Sequence, residues 1–202
     1  MSQKRGLHLL LEIPLFYNFI QWVFTHKKTQ KVWSTLLNDH EDKIILDVGC
    51  GPGQDSTLFL NSKKYIGIDT SKLCIRSAQK NYSNNGDFYC LQVEKIESLS
   101  IKNIDIVILK NVFHHLSDSV IDKFLIEIKK KMSTNGAIYS IDPYLTNRKT
   151  ITNLVVNLDR GKFLRSAEGL RDVISNRMCI KSGQTIKQKF PPYQRILLKM
   201  EI

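Results

Sequence analysis

Five short apolar runs recur along the chain: KIILDVG (43–49), KYIGIDT (64–70), DFYCLQV (87–93), IDIVILK (104–110) and GAIYSID (136–142). Each reads as a buried strand, and helical patterns fall between them. The spacing predicts helices over 54–61, 71–82, 117–132 and 166–177, the last two from Val120, Phe124, Ile126 and Ile128 together with Leu170 and Ile174. Parallel neighbours need a crossover connection, so strand–helix–strand repeated along the chain means a parallel sheet with helices on both faces. The expected fold class is α/β, a doubly wound, Rossmann-like sheet. The end departs from this repeat. MCIKSGQTIKQKF (178–190) and QRILLKMEI (194–202) are strand-like and joined by too few residues for a helix, so they form an antiparallel pair.

With 202 residues the chain is expected to be one domain: an N-terminal helical segment (1–40), a core (43–142), then an insert and terminal hairpin (143–202). Thirty Lys and Arg against nineteen acids give a formal charge of +11. Such an excess attracts nucleic acid, anionic lipid or phosphorylated substrates, but here it is spread over the whole length, as a compositional bias would be. Cys50, Cys74, Cys90 and Cys179 show neither metal-ligand nor disulfide-framework spacing, which fits a reducing, cytoplasmic setting and no metal. Residues 8–25 are interrupted by Glu12, Pro14, Asn18 and Gln21, too polar to span a bilayer. They read instead as an amphipathic helix from about Pro14 to His26, with Phe16, Phe19, Ile20 and Val23 inward.

Ligands of a doubly wound sheet bind at the carboxyl ends of its strands, where Gly49, Gly51 and Gly53 follow the first strand. Their G-x-G-x-G spacing is neither the dinucleotide fingerprint, which needs glycine where Gln54 stands, nor a phosphate loop ending in Gly-Lys-Ser/Thr. Asp47, two residues before the first glycine, would oppose a pyrophosphate and welcome a cation. Asp69 ends the second strand, where an acid accepts hydrogen bonds from ribose hydroxyls. A nucleoside with a positively charged, non-phosphate appendage meets both demands, and S-adenosylmethionine is such a molecule.

LDVGCGPG (46–53), YIGIDTS (65–71), IDIVILKNVFHHL (104–116) and MSTNGAIYSIDPY (132–144) occur in this order. Over residues 43–142 the chain thereby resembles the class I S-adenosylmethionine-dependent methyltransferases, whose sheet has seven strands with the last antiparallel. The resemblance implies backbone contacts from Gly49 and Gly51 to the cofactor, Asp69 on the ribose and Lys110 near the methionine portion. The cofactor-binding candidates are Asp47, Gly49, Cys50, Gly51, Gly53, Asp69, Thr70, Gln92, Val93 and Lys110. Where many relatives carry an acid for the adenine amino group this chain has Gln92, whose amide oxygen can accept the same bond, with Glu94 as a neighbouring alternative.

Methyl transfer needs an aligned nucleophile and, for some acceptors, a base. His115, and after it His114, are the candidate general bases. Tyr17, Tyr144 and Arg160 are the candidate substrate-binding residues, and Asp142, Asp159 and Arg165 add polar groups suited to sugar hydroxyls or a phosphate. The expected reaction is methylation of an oxygen or nitrogen of a small molecule such as a sugar intermediate. RNA is the alternative acceptor, set back by the lack of an aromatic-interleaved basic stripe and by a fourth strand ending LKNVF instead of an NPPY-like run. A silent cofactor-binding module is the alternative of a different class.

Overall fold

The computed structural model describes residues 40–146, 153, 161–188 and 193–202. Seven strands are formed: β1 (Ile44–Val48), β2 (Lys64–Asp69), β3 (Asp87–Cys90), β4 (Ile104–Lys110), β5 (Met132–Pro143), β6 (Cys179–Gln188) and β7 (Tyr193–Glu201). Among the described residues three α-helices lie between them: α1 (Lys72–Tyr82), α2 (Asp118–Lys129) and α3 (Ala167–Ser175). The sheet order is β3-β2-β1-β4-β5-β7-β6, with β7 antiparallel to both neighbours and the other adjacent pairs parallel. This is the expected doubly wound sheet with its terminal hairpin. The order reverses between β1 and β4, and there the strand ends open a crevice.

Successive residues of the central strands go to opposite faces. On one face Leu46, Val48, Ile66, Ile68, Val107 and Leu109 pack with Ile121, Phe124, Leu125 and Ile128 of α2 and Leu170 and Ile174 of α3. On the other, Ile45, Tyr65, Ile106, Ile108 and Leu197 meet Phe59 and α1's Ile75 and Ala78. The inward stripe of α2 is thus Ile121, Phe124, Leu125 and Ile128, while Ile126 is only partly covered. Each helix starts at a serine whose hydroxyl accepts a backbone N–H: Ser71 from Cys74, Ser117 from Val120 and Ser166 from Gly169. Such caps stabilise a helix by about 1 kcal/mol each.

Four boundaries differ from expectation by three residues or more. The helix expected over 54–61 is only a 3-10 turn, Gln54–Leu58. Ser56, Thr57 and Ser62 hydroxyls donate to the carbonyls of Gly53, Gln54 and Phe59, three residues back, and compete with α-helical bonding. β3 stops at Cys90 because its one partner, β2, ends at Asp69, the residue opposite. α2 ends at Lys129, since β5 begins at Met132 rather than 136. The added residues pair across an irregularity between Ile104 and Ile106 of β4, where a Cβ on Gly136 would lie 2.9 Å from the Ile104 carbonyl oxygen. The expected helix over 14–26 lies outside the described residues.

Candidate active site at the carboxyl ends of the central strands

The glycine turn follows β1 with Gly49, Gly51 and Gly53 at φ of 76°, 55° and 83°. A Cβ on Gly49 would lie 2.7 Å from Val112 Cγ2, and one on Gly53 would lie 2.9 Å from Ala78 Cβ and Phe88 Cε1. These two glycines therefore serve close packing of the turn against β4's end, α1 and β3. The amides of the turn are consumed internally. Gly49 and Cys50 N–H both donate to the Ile68 carbonyl at 2.8 and 3.0 Å, and Gly51 N–H donates to Asp69 Oδ2 at 3.0 Å. A phosphate cradle works by aiming such N–H groups at the anion. This turn aims them at β2.

What the crevice offers instead is carboxylate. Asp69 ties the turn to the start of α1, accepting Gly51 N–H on Oδ2 and Ser71 N–H on Oδ1 at 2.7 Å. Burial raises its pKa, against the pull of those backbone donors. Each oxygen keeps a second lone pair for a hydroxyl. Asp47 is buried, and Tyr65 Oη–H donates to its Oδ2 at 2.5 Å. Its Oδ1 is buried with no hydrogen-bond partner among the described residues. Burial and the neighbouring Asp55 charge push the Asp47 pKa up to about 7, with Asp69 adding to the rise while Tyr65 and Lys110 oppose it. An orphaned carboxylate oxygen beside further acids suits a cationic ligand group.

Lys110, at the end of β4, is bound to Asp55 by two contacts of 2.7 and 3.1 Å, joining β4 to the turn after the glycines. Cys50 is buried, and burial pushes its thiol pKa up, so it stays a neutral packing group. Thr70 and Gln92 are exposed, whereas Val93 is buried in the apolar core. The Gln92 side chain is therefore open to an outside ligand, whereas that of Val93 is not. Asn111, after Lys110, holds φ 59° and has a buried Oδ1 with no hydrogen-bond partner among the described residues. Asp55, Tyr65 and Asn111 were missed in the sequence. The available signals were a tyrosine in the strand that ends at Asp69 and an acid two residues past the last glycine.

The histidines separate. His114 is 2% exposed, its backbone N–H donating to Asp142 Oδ1 at 3.2 Å and its Nδ1 lying 2.9 Å from the same oxygen. Gly161 packs over it so closely that a Cβ there would collide with His114 Cδ2. His115 is exposed, its ring centroid 4.0 Å from that of His114. Arg165 does not reach for a ligand. Its guanidinium donates to the carbonyls of Phe113 and Leu116 and to Asp118, and Phe163 N–H donates to the His114 carbonyl, fastening the returning insert over the histidine turn. Tyr144, expected at the mouth, is buried and donates to Gln194 Oε1 at 2.9 Å, which makes it a core residue here. Tyr17, Arg160 and Asp159 lie outside the described residues. Among the described residues no group of three or more acids, cysteines and histidines could hold a metal, and no helix is long and apolar enough to cross a membrane.

Residues 39–190 match the family described as a methyltransferase domain. A protein of Haemophilus influenzae is 30% identical over 112 residues, 52% of this chain and 43% of that protein, and the chain spans about half the length of the curated relatives it matches. Among solved structures, magnesium protoporphyrin IX methyltransferase from Synechocystis with bound S-adenosylhomocysteine aligns with a TM-score of 0.69 at 16% identity, covering 99% of this chain and 100% of that one. The N-methyltransferase NodS from Bradyrhizobium japonicum, in complex with S-adenosylhomocysteine, aligns with a TM-score of 0.68 at 12% identity, over 88% of this chain and 89% of that one. At these identities the likeness is one of fold.

Proposed function

This chain belongs to the methyltransferase-domain family, and on that premise we propose that it transfers a methyl group from S-adenosylmethionine to an oxygen or nitrogen of a small molecule. The observation that carries the cofactor is the inverted polarity of the glycine turn: its first amides are spent on Ile68 and Asp69, and acids line the crevice. That arrangement repels a pyrophosphate and suits an adenosyl group ending in an ammonium. Asp69 would hold the ribose, Gln92 the adenine edge, and Asp47 with the Asp55–Lys110 pair the amino-acid end. When bound, the sulfonium supplies an activated methyl carbon.

The chain's own residues have the remaining work of alignment. Asp142 ties the His114 ring to the end of β5, and His115 is exposed beside it, which supports reading His115 as the group that takes a proton from an acceptor that needs deprotonation. Lys110 and Arg165 are spent on the protein's own ion pairs and not offered to a phosphate backbone, which supports a small acceptor over RNA. The test is incubation of the purified protein with S-adenosylmethionine labelled in its methyl group and pools of hydroxylated and amino-bearing small molecules, with a total RNA pool in parallel. Label in a small molecule supports the reading; label in RNA alone overturns the acceptor class.

A further inference from the structure

Tyr65 lies on β2 opposite Ile45 of β1, and Asp47 lies opposite Gly67, so the tyrosine and the acid share one face of the sheet. Gly67 adds no side chain between them, and a Cβ there would meet Phe88 Cδ1 at 2.7 Å and Cys50 Sγ at 2.8 Å. The Tyr65 ring is fixed by Phe59, stacked at 5.7 Å, and by Phe88 at 5.9 Å. From this seat its hydroxyl donates to Asp47 Oδ2. Oδ1 is left as a buried acceptor with no hydrogen-bond partner among the described residues. The other groups acting electrostatically on this acid are Asp55, Asp69 and Lys110, with the buried Cys50 thiol alongside, and Lys110 is already paired with Asp55. Three carboxyl groups face one ammonium.

We propose that Tyr65 is a positioning residue for the amino-acid end of the cofactor: by holding Asp47 Oδ2 it reserves Oδ1 for a cationic amino group, met directly or across one water. This rests on the cofactor reading above and goes beyond it, because Tyr65 touches no ligand and yet sets how firmly the ligand's tail is held. The phenol stabilises the ionised carboxyl, whereas burial and Asp55 oppose ionisation. Affinity for an ammonium therefore rises with pH as Asp47 ionises, and loss of the phenol moves that rise to higher pH.

The test compares the wild-type chain with Tyr65→Phe by calorimetry across mildly acidic to mildly alkaline pH. The ligands are S-adenosylhomocysteine, which carries the amino-acid end, and 5′-methylthioadenosine, which lacks it. Tyr65→Phe is expected to weaken the first by about tenfold, shift its pH midpoint upward and leave the second unchanged. An equal loss for both ligands, or an unmoved midpoint, overturns the proposal. Should the variant not fold, carboxyl carbon NMR of Asp47 in the wild type decides: S-adenosylhomocysteine should displace its titration to lower pH and 5′-methylthioadenosine should not, and a fixed titration overturns the proposal. If the wild type binds neither ligand, the cofactor reading itself falls and this inference with it.

Discussion

Asp142 and His114 are joined twice, through the backbone N–H and the imidazole Nδ1 of the histidine, both directed at Asp142 Oδ1. Both side chains are essentially excluded from solvent. Burial raises the Asp142 pKa, and His114 pulls it back. Asp142→Ala would strand two donors in the interior and is expected to cost about 3 kcal/mol. Asp142→Asn keeps an acceptor oxygen and should cost less. Urea unfolding midpoints of the wild type and the two variants check this order, and a wild-type midpoint in Asp142→Ala would show that the pair contributes nothing to holding the turn.

The two histidines should respond differently. His114→Ala removes a packed ring beneath Gly161 and is expected to lower stability by about 2 kcal/mol. His115→Ala removes an exposed ring, and unfolding should move by less than it does in His114→Ala. Turnover with an acceptor that must lose a proton should fall by about a hundredfold or more in His115→Ala, with cofactor affinity intact. Unaltered turnover would take His115 out of the chemistry.

Asp69 has two structural duties and one proposed ligand duty. Asp69→Ala should weaken S-adenosylhomocysteine by about 1–3 kcal/mol, because the ribose loses its acceptor and Gly51 N–H loses its anchor. Calorimetry reads this directly, and wild-type affinity in the variant would remove Asp69 from the site.

Asp47 makes stability fall as pH rises. Its pKa is 3.8 when unfolded and about 7 when folded, so between these values the folded state binds more protons than the unfolded one. The penalty is absent below about pH 4 and complete above about pH 7. Asp47→Asn mimics the protonated form, so the ligand-free variant should gain on the wild type between pH 5 and 8 in urea midpoints. A constant difference across that range would contradict the assignment.

Gly53→Ala must place a Cβ 2.9 Å from Ala78 Cβ at a φ of 83°. Left-handed strain and crowding together are expected to cost about 2–3 kcal/mol. Thermal unfolding tests it; a wild-type melting temperature would mean the turn is looser than the packing implies.

The parallel sheet could be read from apolar runs because its central strands are covered on both faces and need little else from the sequence. Hydrophobic spacing predicts a helix over 54–61 that does not form, because Ser56, Thr57 and Ser62 turn their hydroxyls back on the main chain, a competition such spacing does not register. Asp47 and Asp69 stood out through their positions around the glycines. Tyr65 did not, since its bond to Asp47 crosses strands and spans eighteen residues of sequence. Tyr144 looked like a mouth residue, but its partner Gln194 comes from β7, fifty residues away.

The central claim is that the glycine turn serves an adenosyl group with a cationic tail and not a dinucleotide phosphate. Calorimetric titration of the full chain with S-adenosylhomocysteine and, separately, with NAD tests this most directly. Micromolar binding of S-adenosylhomocysteine with no heat from NAD is the predicted result. Binding of NAD alone, or of neither ligand by folded protein, would contradict it.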